Sequence, residues 1–148
     1  MSRWPEGAET QKTSFGGLTR SQLMSRVRSR GNKTTELLAV RLFREYGIVG
    51  WRRHPHLIGK PDFVWRKSRV ALFIDGCFWH GHACGRNLTP KTNAGIWRQK
   101  IASNQDRDRR NTHALKRAGW KVVRMWECSL TKNHKRCISR LQKALAGY

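Results

Sequence analysis

Two thiols and two imidazoles stand within eight residues of this chain, in Cys77-Phe78-Trp79-His80-Gly81-His82-Ala83-Cys84. Thiolate and imidazole are the ligands that zinc prefers, and in a reducing compartment such a cluster reads as a metal site rather than a disulfide. A fourth ligand has to come from His80 or from elsewhere in the chain. Cys128, at the end of an expected strand, can reach the cluster, whereas Cys137 shares an inward helix face with Leu141 and reads as a small core residue. Cys77, His82, Cys84 and Cys128 are therefore the expected zinc ligands, which leaves His80 as a proton acceptor. The spacing is not that of a standard zinc finger, so a redox-inert cluster without metal is the alternative.

Carboxylates are scarce, nine Asp and Glu against 31 Lys and Arg, so their positions carry information. Asp62 precedes the apolar run Phe63-Val64-Trp65, and Asp75 closes the run Val70 to Ile74. In a hairpin whose turn is centred on Ser68-Arg69, Asp62 faces Asp75 with Cβ atoms roughly 4.5–5.5 Å apart. Like charges opposed across a ladder are destabilising unless a cation lies between them, and Mg²⁺ takes such hard oxygen ligands. The alternative is another register, with Asp62 at a strand start and Asp75 in the turn before Gly76. A second stripe, Lys100, Asn104 and Asp108, recurs at helical spacing beside Arg107, Arg109 and Arg110 and suits phosphate contact. A solvated helix face has the same pattern, and alone this stripe favours that simpler reading.

The elements that position these residues follow from periodicity. A short basic helix is expected over Ser21 to Ser29. A second runs from about Thr34 to Tyr46, with Leu38, Leu42 and Tyr46 on one face and Gly47 as its stop. Val70 to Asp75 is nearly all apolar, as in a strand buried on both faces. A long helix from about Ala94 to Ala118, a strand Lys121 to Glu127 and a last helix near Lys135 to Ala146, with Ile138, Leu141 and Leu145 inward, complete the pattern. Helices flanking a small sheet predict an α/β sandwich.

The chain has 148 residues and a formal net charge of +22. The length suits one domain with a real core, and 38% hydrophobic residues with seven Trp argue against a disordered basic tail. Residues 1–18 read as a mobile Gly, Ser and Thr-rich tail, and residues 19–148 as a single domain. No apolar run is long enough to span a bilayer, and Met-Ser-Arg-Trp-Pro-Glu has no signal-peptide core, so a cytoplasmic protein with no membrane partner is expected. The positive charge points to nucleic acid.

Taken together, Gly59-Lys60-Pro61-Asp62-Phe63-Val64, Gly76-Cys77-Phe78-Trp79-His80 with His82 and Cys84, Asp106-Arg107-Asp108-Arg109-Arg110 and Trp126-Glu127-Cys128 resemble the very-short-patch repair (Vsr) endonucleases in kind, order and spacing. The resemblance covers about residues 19 to 130. It implies the restriction-endonuclease-like three-layer α/β sandwich, with a small mixed central sheet, a structural zinc site and nicking of one DNA strand 5′ to the T of a T:G mismatch left by deamination of 5-methylcytosine. It further implies that Asp62 is the central Mg²⁺ ligand, that Glu36 holds water beside the metal and that His80 is the general base. The zinc ligands it implies are the four chosen from spacing. Phe78, Trp79 and Trp97 match aromatics that wedge beside the mismatch, and Met24 matches an apolar residue used from the opposite groove. Mismatched duplex DNA and mismatch-repair proteins are the implied partners of a monomer associated with the bacterial nucleoid.

One departure stands out. Where well-known members read Thr-His-Gly-Cys, this chain has Ile74-Asp75-Gly76-Cys77. Ile is tolerable because the family's metal contact there is a backbone carbonyl, but Asp75 offers a carboxylate that can bind metal itself. Two rival functions stay open: a nuclease of the same fold acting on fully paired DNA in restriction or mobile-element invasion, and a noncatalytic zinc-stabilised DNA-binding module. The presence of Glu36, Asp62 and His80 together speaks against the second.

Overall fold

The chain divides after Asn32, and the computed structural model describes residues 35–77, 82, 84 and 94–147, all in its second unit, Lys33–Tyr148. The expected helix at Ser21 to Ser29 and the expected boundary after residue 18 lie outside the described residues. Glu36–Glu45 forms helix α1, ended by Tyr46 and by Gly47 in the left-handed conformation at φ 67°. Its buried face is Glu36, Ala39, Val40, Leu42 and Phe43, and the rest of the expected row, Leu38 and Tyr46, packs half-buried against the same core. An i, i+4, i+8 row drifts around a helix of 3.6 residues per turn, and here the larger apolar surface is that of Phe43, the centre of an aromatic cluster. Its ring lies 5.1 Å from Phe63 and 5.5 Å from Trp65, both edge-on.

A two-residue strand that the periodicity did not reveal, Arg52–Arg53 (β1), pairs antiparallel with Phe63–Trp65 (β2), which pairs antiparallel with Val70–Asp75 (β3). Helix α2, Ala94–Arg117, crosses over to Lys121–Trp126 (β4), parallel to β3, and two helices follow, α3 (Glu127–Lys132) and α4 (His134–Leu145). The result is a mixed four-stranded sheet in the order β1-β2-β3-β4. Every residue of β3 is buried, as its composition predicts for an inner strand.

The alternation of β3 separates two cores. Val70, Leu72 and Ile74 pack with Phe63 and Trp65, Val123 and Met125, and with α1 and α4, while Ala71 and Phe73 pack with Val64 and with Leu115 of α2. The sheet therefore lies between α1 and α4 on one face and α2 on the other. Gly59, at φ 75°, lets the loop before Asp62 lie against α2, because a Cβ there would meet that of Asn111 at 2.9 Å.

Two expectations are corrected. The β2–β3 turn is the four-residue Arg66–Arg69, closed by Arg69 N donating to Arg66 O at 3.3 Å, so Phe63 pairs with Leu72 and the ladder is shifted by two residues from the register that would oppose Asp62 and Asp75. The strand expected to end at Glu127 stops at Trp126, and Glu127 and Cys128 open α3. The last helix, His134–Leu145, agrees with its expectation to within a residue at each end, with Ile138 and Leu141 buried and Leu145 packed against the same core.

Candidate active site and metal centre

At one end of the sheet, β3 closes on Asp75, β2 begins just after Asp62 and α1 begins with Glu36. Asp62 anchors itself by its backbone, whose N–H donates to Leu72 O at 2.9 Å, and by its carboxylate, which accepts from Ile74 N at 2.7 Å. A shift of two residues preserves the side-chain face, so Asp62 and Asp75 still project from the α2 face of the sheet, now as diagonal rather than opposed neighbours. Burial, and then the nearby Glu36 and Asp75, raise the Asp62 carboxyl from 3.8 to about 7 against the lowering effect of the Ile74 hydrogen bond. No cation pairs with Asp62 among the described residues.

Glu36 is 2% exposed and is brought to the site by the inner face of α1. Its carboxylate accepts from Arg53 Nη2 at 2.5 Å and lies 3.0 Å from His54 Nε2. Arg53 and His54 were not read from the sequence. The only signal was a basic Arg-Arg-His run too short and polar to suggest a strand.

Asp75 is 6% exposed and lies 3.5 Å from Arg124 Nε, while Arg124 Nη2 lies 3.1 Å from Asp108 Oδ1. The guanidinium also covers the Phe73 ring, 4.3 Å from its centroid. Asp108 thus turns toward the sheet, so the solvated-face reading fails at that one position, while Lys100 stays exposed. Lys100 keeps its ammonium 5.2 Å from the face of Trp97, and Asn104 accepts from Arg107 at 2.9 Å. Trp97 itself is buried.

A few residues beyond Asp75, the Sγ atoms of Cys77, Cys84 and Cys128 and a ring nitrogen of His82 all lie within 4.8 Å of one another. Cys128 Sγ is 3.4 Å from His82 Nδ1, and the His82 ring stacks on Trp126 at 4.1 Å and 6°. Cys128 reaches the cluster from the first turn of α3 instead of from a strand end. Burial, and after it the neighbouring thiols, push Cys77 up to about 12 against the lowering effect of a Cys128 backbone hydrogen bond. The donor set fits a tetrahedral metal, for which Zn–S bonds of about 2.3 Å imply ligand separations of roughly 3.5–3.8 Å. This cluster could therefore hold a metal ion. Cys137 stays apart in the core beside Leu141. Phe78, Trp79, His80 and Met24 lie outside the described residues.

A family model described as DNA mismatch endonuclease Vsr matches residues 14–86. The type II nicking enzyme V.NmeAIP of Neisseria meningitidis serogroup A is 38% identical over 124 residues, 84% of this chain and 87% of that protein. This chain belongs to the Vsr family. The DNA mismatch endonuclease Vsr of Escherichia coli K12 is 37% identical over 117 residues, 79% of this chain and 74% of its own length. The type II nicking enzyme V.XorIIP of Xanthomonas oryzae pv. oryzae is 37% identical over 115 residues, 76% and 82% of the two chains. Vsr membership makes the chain a strand-nicking DNA endonuclease, and its mixed sheet between helices is the restriction-endonuclease-like sandwich expected of that family. No helix among the described residues is long and apolar enough to cross a membrane.

The Asp62 environment gives this Vsr protein a pH signature. Between about pH 4 and 7 the folded state holds a proton on Asp62 that the unfolded chain has lost, so this group's contribution to stability falls as pH rises through that window and levels off above it. A shift of this size corresponds to about 4 kcal/mol at most. With no divalent cation added, an Asp62→Asn protein should gain on the parent in urea midpoint from pH 5 to pH 8. An unchanged difference between the two pH values would mean that Asp62 is ionised without strain.

Proposed function

We propose that this endonuclease nicks one strand of duplex DNA 5′ to the T of a T:G mismatch, with Mg²⁺ held by Asp62, and that Cys77, His82, Cys84 and Cys128 hold a structural zinc. The observation that carries the nuclease centre is Asp62: a carboxylate without a cationic partner among the described residues, crowded by Glu36 and Asp75, is what a divalent cation would relieve. The mismatch reading rests on the family description and on the name of the Escherichia coli relative. Mg²⁺, when bound, would stabilise charge on the scissile phosphate and on the departing 3′ oxygen, leaving 5′-phosphate and 3′-hydroxyl ends.

The chain's own residues supply the rest. Asp62 gives the anionic ligand, and its hydrogen bond from Ile74 N fixes the carboxylate direction. Glu36, held by Arg53 and His54, orients water at the site, and His80 accepts the proton of the attacking water. Exposed Arg98, Arg107, Arg109 and Arg110 of α2 give salt-dependent phosphate contacts, with Arg109 steadied by Asp106. Lys100 and Asn104 on the same helix line the DNA path, and Phe78, Trp79 and Met24 wedge into the stack, whereas Trp97, read from the sequence as a further wedge, is buried against its own protein and too enclosed to join them. Unstacking costs least at a mismatch, so a wedge turns weak pairing into selective binding.

End-labelled duplexes carrying T:G, other mismatches or perfect pairs test this. Mg²⁺-dependent nicking of the T strand in the T:G duplex alone is the expected result. Equal cutting of perfect duplex would replace the repair role with a restriction-type one, and tight binding without cutting by any divalent metal would leave a noncatalytic DNA-binding module.

A further inference from the structure

Among the described residues, Arg53 is held by one arm only. Its Nη2 lies 2.5 Å from Glu36 Oε2, and Nη1 has no partner among the described residues. Nε is shut off from solvent without a partner, whereas Nη1 is not enclosed in that way and the side chain as a whole is 31% exposed. A lysine would pair with Glu36 without hiding an unsatisfied N–H, so a guanidinium at this position calls for a second acceptor on its planar fork. The local backbone serves the same contact. Neighbouring strand residues send their side chains to opposite faces, yet Arg53 and His54 both converge on Glu36 Oε2, with His54 Nε2 at 3.0 Å. His54 is held at φ 47°, a left-handed conformation that a residue with a Cβ rarely adopts, and this turn of the chain brings its ring back to the oxygen that Arg53 already holds.

The open arm belongs to the end of the sheet that carries the site. Arg53 pairs with Phe63 across the β1–β2 ladder, and His54 N donates to Asp62 O at 3.3 Å, so both residues flank the start of β2. Glu36 is the common neighbour of Arg53 and Asp62. Only one carboxylate and one guanidinium therefore separate an acceptor on Nη1 from Asp62, which puts that acceptor beside the reacting phosphate. The anion that arrives there with the substrate is the DNA backbone, whose phosphates form charge-assisted hydrogen bonds with arginine.

We propose that Arg53 is a bridge: Nη2 holds Glu36 while Nη1 binds an oxygen of a backbone phosphate flanking the scissile one, so that seating the DNA strand also fixes the carboxylate that orients water. The inference rests on the reading of Asp62 and Glu36 as the nuclease centre and adds a substrate contact to it. Arg53 neither binds metal nor moves a proton. It recognises phosphate, whatever the base pairs, and positions Glu36. With that phosphate uncharged, the guanidinium is pinned on one side only and Glu36 is held less firmly.

The test is a scan of T:G duplexes in which each phosphate near the nick is replaced in turn by an uncharged methylphosphonate. The zinc-loaded full chain binds them in Ca²⁺ and nicks them in Mg²⁺ in single turnover at saturating enzyme. For the parent, one flanking position should weaken binding about tenfold and also slow the bound complex. Arg53→Met should lose about tenfold on the unmodified duplex, show no further loss of affinity or rate at that position, and bind with a salt slope smaller by about one. If Arg53→Met does not fold, Arg53→Lys keeps a charge on Glu36, and because a single ammonium lacks the fork it too should be insensitive there. Parent-like sensitivity at every position in the folded variant makes Arg53 a purely internal partner of Glu36 and overturns the inference. A parent with no sensitive position flanking the nick also overturns it. The scan reads phosphate and not bases, so equal cutting of perfect duplex would end the mismatch reading without touching this one. Asp62→Asn nicking at the parent rate would fail the nuclease centre, and the bridge with it, even where the scan finds the contact.

Discussion

An Asp62→Asn protein should fold, bind a T:G duplex in Ca²⁺ about as tightly as the parent, and nick it in Mg²⁺ slower by about 10³-fold or more. The substitution keeps the shape of the side chain, and the amide oxygen can still accept from Ile74 N, so the 2.7 Å anchor to β3 survives. What disappears is the negative charge on the one site carboxylate that lacks a cation among the described residues. Metal-ion stabilisation of a phosphoryl transition state is worth several kcal/mol, and each 1.36 kcal/mol is about tenfold in rate. Binding is carried by the basic surface and does not depend on that charge. Single-turnover nicking and Ca²⁺ binding isotherms, run side by side, separate the two effects. Retention of more than a tenth of the parent rate would remove Asp62 from the metal.

The second large effect is expected at Cys128. Cys128→Ser should lose most of the bound zinc and should melt far below the parent or fail to fold, whereas Cys137→Ser should keep its zinc and lose only what a buried hydroxyl costs, about 1–3 kcal/mol. Structural zinc binds small domains with an apparent free energy on the order of 10 kcal/mol, comparable to the whole stability of an ordinary domain. The two cysteines are both buried and differ in surroundings: Cys128 lies 3.4 Å from His82 Nδ1, and Cys137 lies in the core beside Leu141. Elemental analysis and thermal melts decide. Full zinc and an unchanged melting temperature in Cys128→Ser would refute the ligand set.

Elements governed by long periodic runs were legible in the sequence. The inner strand β3 announced itself by near-unbroken apolar composition, α2 by its length, and the end of α1 by Gly47. The β2–β3 register was not legible, because it depends on whether Arg69 adopts a left-handed conformation, at φ 53°, to close a four-residue turn. Nothing in Arg66-Lys67-Ser68-Arg69 demands that. β1 escaped because two arginines form it, and its pairing is dictated by the neighbour it meets instead of by its own propensity. Within the site, residue types betrayed the chemistry of single residues such as Asp62 and Cys77, but not their charge partners. Arg53, His54 and Arg124 meet their carboxylates only through tertiary packing. Arg124 did leave one trace, a charge set between the apolar pairs Val122-Val123 and Met125-Trp126.

The parallel pairing of β3 with β4 has a kinetic consequence. These strands join only after the whole of α2 has been threaded between them, and such distant pairings pay their loop-closure entropy before any contact rewards it. Cys77, His82 and Cys84 follow β3 closely in the chain, while Cys128 stands two residues beyond β4. A metal captured by the first three has one open coordination position, and the thiol that fills it brings β4 to the edge of β3. Metal capture would then act as a tether that shortens the search for this distant pairing, so the four residues that would brace the finished enzyme would also favour the order in which it is assembled.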